Sequence, residues 1–312
     1  KALYTVAQRM HGKNNPMWKY VYKLNKLLVN LFYSCSQLFN KKLGIDANSN
    51  VVISLTSYPA RNNVVSTTIQ TLLNQTYKPR SVVLYLSKEQ YPNGRDSLPK
   101  KLFKLERRGL DIKFVDGDLK PHKKYFYAFQ EYPDSIIITA DDDIFYPENH
   151  IENLVKASKK YPEAVICNRS HKIQFKDIAK GEFDEYKNWK DNKTNEPDIA
   201  TIPIGCNGIL YRPKMFVEEL YNQEAITKYS LYTDDLWLKA MELKSGIKAF
   251  NCSDEPMVYF DNVKSRSTGL WHSNASDEEN RNDVVWNMII ECYPEVKNIL
   301  LDIFILKSNF LF

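Results

Sequence analysis

Two hydrophobic rhythms run along this chain. Leu24, Leu27, Leu28, Leu31, Phe32, Cys35, Leu38 and Phe39 recur at three- and four-residue spacing, which predicts an amphipathic helix over residues 17–39. Asn48-Ser49-Asn50 ends that pattern, and short apolar, β-branched runs then alternate with helical ones. Strands are predicted over 51–55, 81–86, 112–115, 136–138 and 164–167, with helices over 64–73, 98–108, 125–132 and 151–160. The strand at Ile136-Ile137-Ile138 is too short for a helix and apolar at every position, as expected of a strand buried on both faces. Strands alternating with helices at this spacing mean βαβ units and an α/β fold with a mostly parallel sheet. In open α/β sheets the ligand crevice lies outside the carboxyl ends of the strands. That rule gathers three loops: 56–61, 116–118 and 141–143.

Beyond residue 170 the pattern loosens. Residues 171–200 are polar and aperiodic, and read as a long loop or lid. Two glycines, Gly205 and Gly208, lie in the ordered run 202–211, where they permit backbone to approach a ligand closely. A helix is predicted from Thr233, with Asp234 and Asp235 in its first turn, a place where acids also compensate the helix dipole. A strand over 257–260, a loop over 264–274 and a helix over 279–291 follow. The apolar tail is either docked on the core or a second surface anchor. The organisation read from this is a helical arm (1–48), an α/β domain (49–295, with halves 49–170 and 200–295) and a tail (296–312).

Composition is that of a soluble globular protein, with 43% hydrophobic and 26% charged residues. Five scattered cysteines without Cys-x-x-Cys spacing argue against a disulfide framework and a zinc site, and fit a reducing compartment. Charge is uneven. Residues 1–50 hold eight basic side chains against Asp46 alone, a net +7, so the remainder of the chain carries −2 of the overall +5. A slightly acidic body with no recognised module gives no support for nucleic-acid binding. Lys19, Lys23 and Lys26 with Trp18 and Tyr20 make the arm a basic amphipathic helix. It suits either packing on the domain or a membrane surface, and the one-sided charge favours the latter. No run approaches the ~18 apolar residues of a spanning helix.

The sharpest chemical feature is Asp141-Asp142-Asp143, directly after the buried strand and before Pro147. Three adjacent carboxylates repel and raise one another's pKa unless a cation neutralises them. Oxygen-only ligands at a strand end suit Mg2+ or Mn2+ shared with substrate phosphates. A solvated acidic turn capping the next helix is the plainer alternative.

Val51-Val-Ile-Ser-Leu-Thr-Ser-Tyr-Pro59 and Leu72-Leu-Asn-Gln-Thr-Tyr-Lys-Pro79 resemble the opening of GT-A fold glycosyltransferases. Among these, the likeness is to family 2-like bacterial enzymes that build surface polysaccharides: capsule, exopolysaccharide or O-antigen. Asp141–Asp143 resembles the family's Asp-x-Asp motif, and Thr233-Asp-Asp-Leu-Trp237 its acceptor-side acid pair. The resemblance spans residues 51–260. It implies a Rossmann-like, mostly parallel central sheet flanked by helices, and metal-dependent, inverting transfer of a single sugar from a nucleotide-sugar, a UDP-sugar first. The acceptor would be a hydroxyl of a glycan or polyprenyl-linked glycan, at the inner face of the bacterial plasma membrane.

The resemblance also implies roles for residues. Asp143 and Asp141 would hold Mn2+ or Mg2+, with His272 closing the metal shell. Thr56, Ser57, Tyr58, Arg61 and Asp116 would contact the nucleotide. Lys124, with Lys123 as second choice, would reach the diphosphate, and Lys264 and Arg266 would fold over it. Asp142 would be either a donor contact or structural. Asn207 and Gly208 would line the sugar pocket. Asp235 would be the general base, supported by Asp234. The Gln-x-x-Arg-Trp phrase and transmembrane helices of the processive synthases are absent from the sequence, which points to single additions. A sugar nucleotidyltransferase is the first rival, but 56–61 lacks the glycines of its phosphate loop. A non-catalytic binding module is the second, and it has no need of the second acid pair. No Gly-x-x-x-x-Gly-Lys-Ser/Thr phrase supports a phosphate-loop NTPase.

Overall fold

The computed structural model describes residues 6, 10, 16–36, 41–193, 195–253, 259–263, 265 and 281–309. In chain order the first half holds α1 (Trp18–Ser36), β1 (Val51–Thr56), α2 (Asn62–Leu72), β2 (Ser81–Ser87), α3 (Lys100–Glu106) and β3 (Leu110–Val115). Next come α4 (Lys123–Glu131), β4 (Ile136–Ala140), β5 (Ile144–Phe145), α5 (His150–Lys160) and β6 (Ala164–Cys167). The second half adds short strands β7 (Ser170–Lys172), β8 (Phe175–Asp177), β9 (Glu182–Phe183), β10 (Thr201–Pro203) and β11 (Ile209–Tyr211). It closes with α6 (Asp234–Lys244), β12 (Lys248–Asn251), β13 (Phe260–Asp261), α7 (Arg281–Cys292) and α8 (Pro294–Asn309).

Seven strands form one sheet in the order β12-β6-β11-β4-β1-β2-β3, and only β11 runs antiparallel to its neighbours. The β-branched runs explain the centre. Ile53 lies level with Val82 on one side and Ile138 on the other, and side chains alternate between two cores. Val51, Ile53 and Leu55 pack with Ile69, Leu102, Ile151 and Leu154 of α2, α3 and α5. Val52 and Ile137 pack on the other face with Tyr125, Phe129, Trp237, Trp286 and Leu300 of α4, α6, α7 and α8. Helices on both faces make this the mostly parallel, doubly covered α/β sheet expected.

The topology fixes where a ligand can sit. From β1 the chain crosses to β2 and β3, then returns through α4 to β4 on the opposite side of β1. The strand order therefore reverses between β1 and β4, and a crevice opens there at their carboxyl ends. Antiparallel β11 delivers the turn Gly205–Asn207 to the same end of β4.

One expectation needs correcting. Residues 171–200 are not a free lid: β7 pairs with β10, β8 with β9, and Trp189 is buried between them and α7. The aromatic side chains Phe175, Phe183, Tyr186 and Trp189 join this segment to the core that holds Trp237 and Trp286, which a polar average hides. The tail forms α8 and docks, burying Val296 and Leu300. α1 packs on the domain through Tyr22, Asn25, Lys26, Val29, Asn30 and Tyr33, while its leucine stripe stays exposed. Tyr33 stacks on Phe145 at 5.6 Å, Tyr22 Oη donates to the Tyr259 carbonyl at 3.1 Å, and Lys26 forms an ion pair with Asp261. Of the predicted strand 257–260, residues 259 and 260 are described, and the 264–274 loop lies outside the described residues except Ser265.

Candidate active site

The crevice is built from four chain segments. β1 ends in Thr56 and Ser57, and the helical turn Pro59–Arg61 brings Arg61 back over the strand end. β4 ends in the acid triplet. The first turn of α4 supplies Lys124, fastened to β1 because Ser54 Oγ donates to the Lys124 carbonyl. The first turn of α6 brings Asp234 and Asp235 from the other half of the chain.

The three aspartates have different surroundings. Asp142 points inward: Ser57 Oγ donates to its Oδ2 at 2.5 Å and the Arg61 guanidinium clasps its Oδ1. Burial raises its pKa, against the pull of Arg61 and Ser57. Asp143 receives the other arm of Arg61 at 3.2 Å. Burial, with the charges of Asp142 and Asp141, pushes its pKa up to about 6 although Arg61 opposes this. Asp141 is the most open of the three and takes Lys124 Nζ at 2.9 Å, while its backbone N–H donates to Tyr146 Oη at 2.8 Å.

Lys124 is the hinge of the arrangement. Its Nζ lies 2.9 Å from Asp141 and 2.9 Å from Asp234, with its side chain almost fully buried. Burial disfavours its charge, yet Asp141, Asp234 and Asp235 together hold its pKa well above the ordinary lysine value. Asp235 accepts the Gly205 backbone N–H on both oxygens at 3.1 Å. A Cβ on Gly205 would lie 2.9 Å from Asp235 Oδ1 and 3.2 Å from Lys124 Nζ, so only glycine lets the backbone come this close. Burial first, and then the neighbouring Asp234, pushes the Asp235 pKa up to about 7 against the pull of Lys124.

The remaining predicted residues divide. Thr56 Oγ1 donates to the Tyr85 carbonyl at 2.8 Å at the β1 end, and Tyr58 lies under Arg61 at 5.6 Å. Gly208, at φ +77, passes so close to His150 that a Cβ would sit 2.5 Å from Nε2. Asn207 lies in the adjacent turn, its carbonyl accepting from Asn168 at 3.3 Å. Asp116 is not gathered in: it is exposed at the end of β3 and paired with Lys88 at 2.9 Å. Lys123 is buried against Asp118 instead of facing the crevice. His272, Lys264 and Arg266 lie outside the described residues. Sequence reasoning missed Tyr146, three residues after the triplet, and the Arg169–Cys206 contact at 3.7 Å beside the Gly205 turn.

Among the described residues no group of three or more His, Cys, Asp or Glu is arranged to hold a metal ion. The donor set nonetheless fits a shared hard cation. Five carboxylates meet two cationic side chains, Arg61 and Lys124, so negative charge is in excess. Asp142 is spent on Ser57 and Arg61, leaving Asp141 and Asp143 as oxygen donors at the mouth. Mg2+ and similar ions need only one or two carboxylates when waters and substrate phosphates complete their shell.

No family model matches the chain, and no curated protein matches it. Among solved structures, the chain is similar to a mannosyltransferase from Pyrobaculum calidifontis in complex with GDP-Man and Mn2+, at 12% identity and a TM-score of 0.45, over 96% of this chain and 86% of that one. It is also similar to TarS of S. aureus, at 15% identity and a TM-score of 0.40, over 76% and 68% of the two chains. The same protein in complex with UDP gives 15% identity and a TM-score of 0.38, over 77% and 70%. These are loose likenesses of overall shape.

Proposed function

We propose that this protein transfers a single sugar, with inversion, from a nucleotide-sugar to a hydroxyl group, using the crevice between β1 and β4. The observation that carries the reading is the Lys124 bridge. It joins an acid at the strand-end crevice, Asp141, to an acid pair from a separate helix, Asp234 and Asp235, within one buried cluster. A pure binder of nucleotides has no use for the second pair, whereas a transferase needs a base facing its donor site.

The charges suit the chemistry. Expelling a nucleoside diphosphate builds negative charge on the leaving phosphate, and preorganised cations stabilise that charge. Lys124 is such a cation. Asp141 and Asp143 would hold Mn2+ or Mg2+, which when bound supplies Lewis-acid neutralisation of the diphosphate. Asp235 is the general base: a carboxyl with pKa about 7 is poised to take a proton from an acceptor hydroxyl at neutral pH. Asp234 raises that pKa and anchors Lys124. Ser57 and Arg61 act by holding the triplet loop through Asp142, and Asn207 and Gly208 shape the floor beside Asp141. The acceptor class consistent with a surface-polysaccharide role is a glycan or polyprenyl-linked glycan at the cytoplasmic face of a bacterial plasma membrane.

The direct test is Asp235→Asn. Donor affinity with Mn2+ stays within about twofold of the parent, while turnover falls by about 10²–10⁴. Near-normal turnover removes Asp235 as the base.

A further inference from the structure

The helix α1 carries two opposed faces, and the structure uses the less apolar one for docking. Asn25, Lys26 and Asn30 are buried with Val29 and Tyr33 against the domain. Asn30 Oδ1 accepts the Val263 N–H at 3.2 Å, and Lys26 pairs with Asp261. The opposite face is Tyr20, Leu24, Leu27, Leu28, Leu31 and Phe32, and every one of these is exposed, Leu27 at 58%, Leu31 and Phe32 at 60%. Polar groups packed inward and an unbroken leucine stripe turned outward invert the usual amphipathic helix. A contiguous apolar surface of this kind marks an interaction site.

Its surroundings indicate the occupant. Lys19 and Lys23 are exposed along the N-terminal half of the stripe, and Lys41 and Lys42 are exposed where the chain enters the domain. At its edge the stripe borders a cleft of about 200 Å³, lined mostly by polar residues, to which Leu27, Leu31, Val263 and one basic side chain, Lys101, contribute. A helix with leucine and aromatic side chains on one face and lysines beside them lies in the plane of an anionic bilayer, apolar side inward. No helix among the described residues is long and apolar enough to cross a membrane.

We infer that the Leu24–Phe32 stripe with Lys19 and Lys23 is a docking surface for an anionic lipid bilayer. The packing of α1 gives this surface a defined relation to the crevice. β13, against which α1 packs, pairs with β5 immediately after the acid triplet, and the Asn262 N–H donates to the Asp143 carbonyl at 2.8 Å. The lipid-facing helix is thereby tied to the crevice loop, so docking holds the crevice at the membrane surface, where a lipid-linked acceptor would be presented. The docking itself is independent of sugar transfer.

Sedimentation of the full chain with vesicles tests it, without any nucleotide. Vesicles of phosphatidylglycerol mixed with phosphatidylcholine bring down the parent protein, and phosphatidylcholine alone or high salt reduces this. Leu27→Asp with Leu31→Asp weakens binding about tenfold or more, with the thermal unfolding temperature unchanged because both side chains are exposed. Lys19→Glu with Lys23→Glu weakens it as well while leaving the stripe intact. A parent protein that stays in the supernatant at low salt, or a Leu27/Leu31 variant that binds equally well, overturns the inference. So does concentration-dependent self-association abolished by the same variant, which would make a second copy the occupant.

Discussion

Asp142 takes both its side-chain contacts from Ser57 and Arg61, and neither Asp142 nor Arg61 is open to solvent. Removing Arg61 therefore leaves a carboxylate inside the fold without its counter-charge. Arg61→Ala is expected to cost about 3–5 kcal/mol in denaturant unfolding, a loss that a solvent-facing nucleotide contact would not show. Asp235 predicts two opposite pH trends. Its folded pKa, about 7, lies above the ordinary value of 3.8, so the folded state holds this proton where the unfolded chain has released it. The stabilising contribution is complete below about pH 4 and is lost as pH rises towards 7. Turnover runs the other way, rising through pH 7 as the base is freed. Asp235→Asn should flatten the stability trend, measured as unfolding temperature between pH 5 and 8. At this scale the sequence pointed to many of the residues that line the crevice and was silent about how they pair. Three identical aspartates in a row cannot declare which one is buried. Residue type alone does not separate Lys124 from Lys123, and only the resemblance ranked Lys124 first; the register of α4 turns one to the crevice and the other to Asp118.

Gly205 links two elements, since its backbone N–H reaches Asp235 across the gap between the turn before β11 and the start of α6. Gly205→Ala would force a Cβ to within 2.9 Å of Asp235 Oδ1. The expected result is a tenfold or greater loss of turnover, by about 1.4 kcal/mol or more, with nucleotide affinity unchanged. Equal loss of both would mean that the turn serves donor binding instead. Strands and helices of the first half were legible because their signals are local: β-branched runs, helical spacing and a proline or glycine at the joints. Residues 171–200 were not, because their order depends on Trp189 and Tyr186 reaching α7, a contact far away in sequence. The leucine stripe of α1 was read correctly as a stripe. Which face the domain would claim depended on a buried ion pair with Asp261, more than 230 residues away.

Across the whole molecule, the reversal of strand order between β1 and β4 is what makes a site of these residues. It sets Ser57 and Arg61 opposite the triplet, and the antiparallel β11 adds the Gly205 turn that meets α6. The alternation of strands and helices announced the crevice. The acid pair was readable as a pair, but the buried lysine that joins it to the triplet is a product of the fold. The most direct measurement is a thermal-shift titration of the parent chain with UDP, GDP and their sugar conjugates, each with and without Mn2+. A ligand bound only by the native state raises its stability. A shift with at least one nucleotide that requires Mn2+, disappears in Asp143→Ala and persists in Asp235→Asn is the predicted result. No shift with any nucleotide, or one that neither Mn2+ nor Asp143→Ala alters, would contradict the assignment of this crevice to a metal-held nucleotide-sugar.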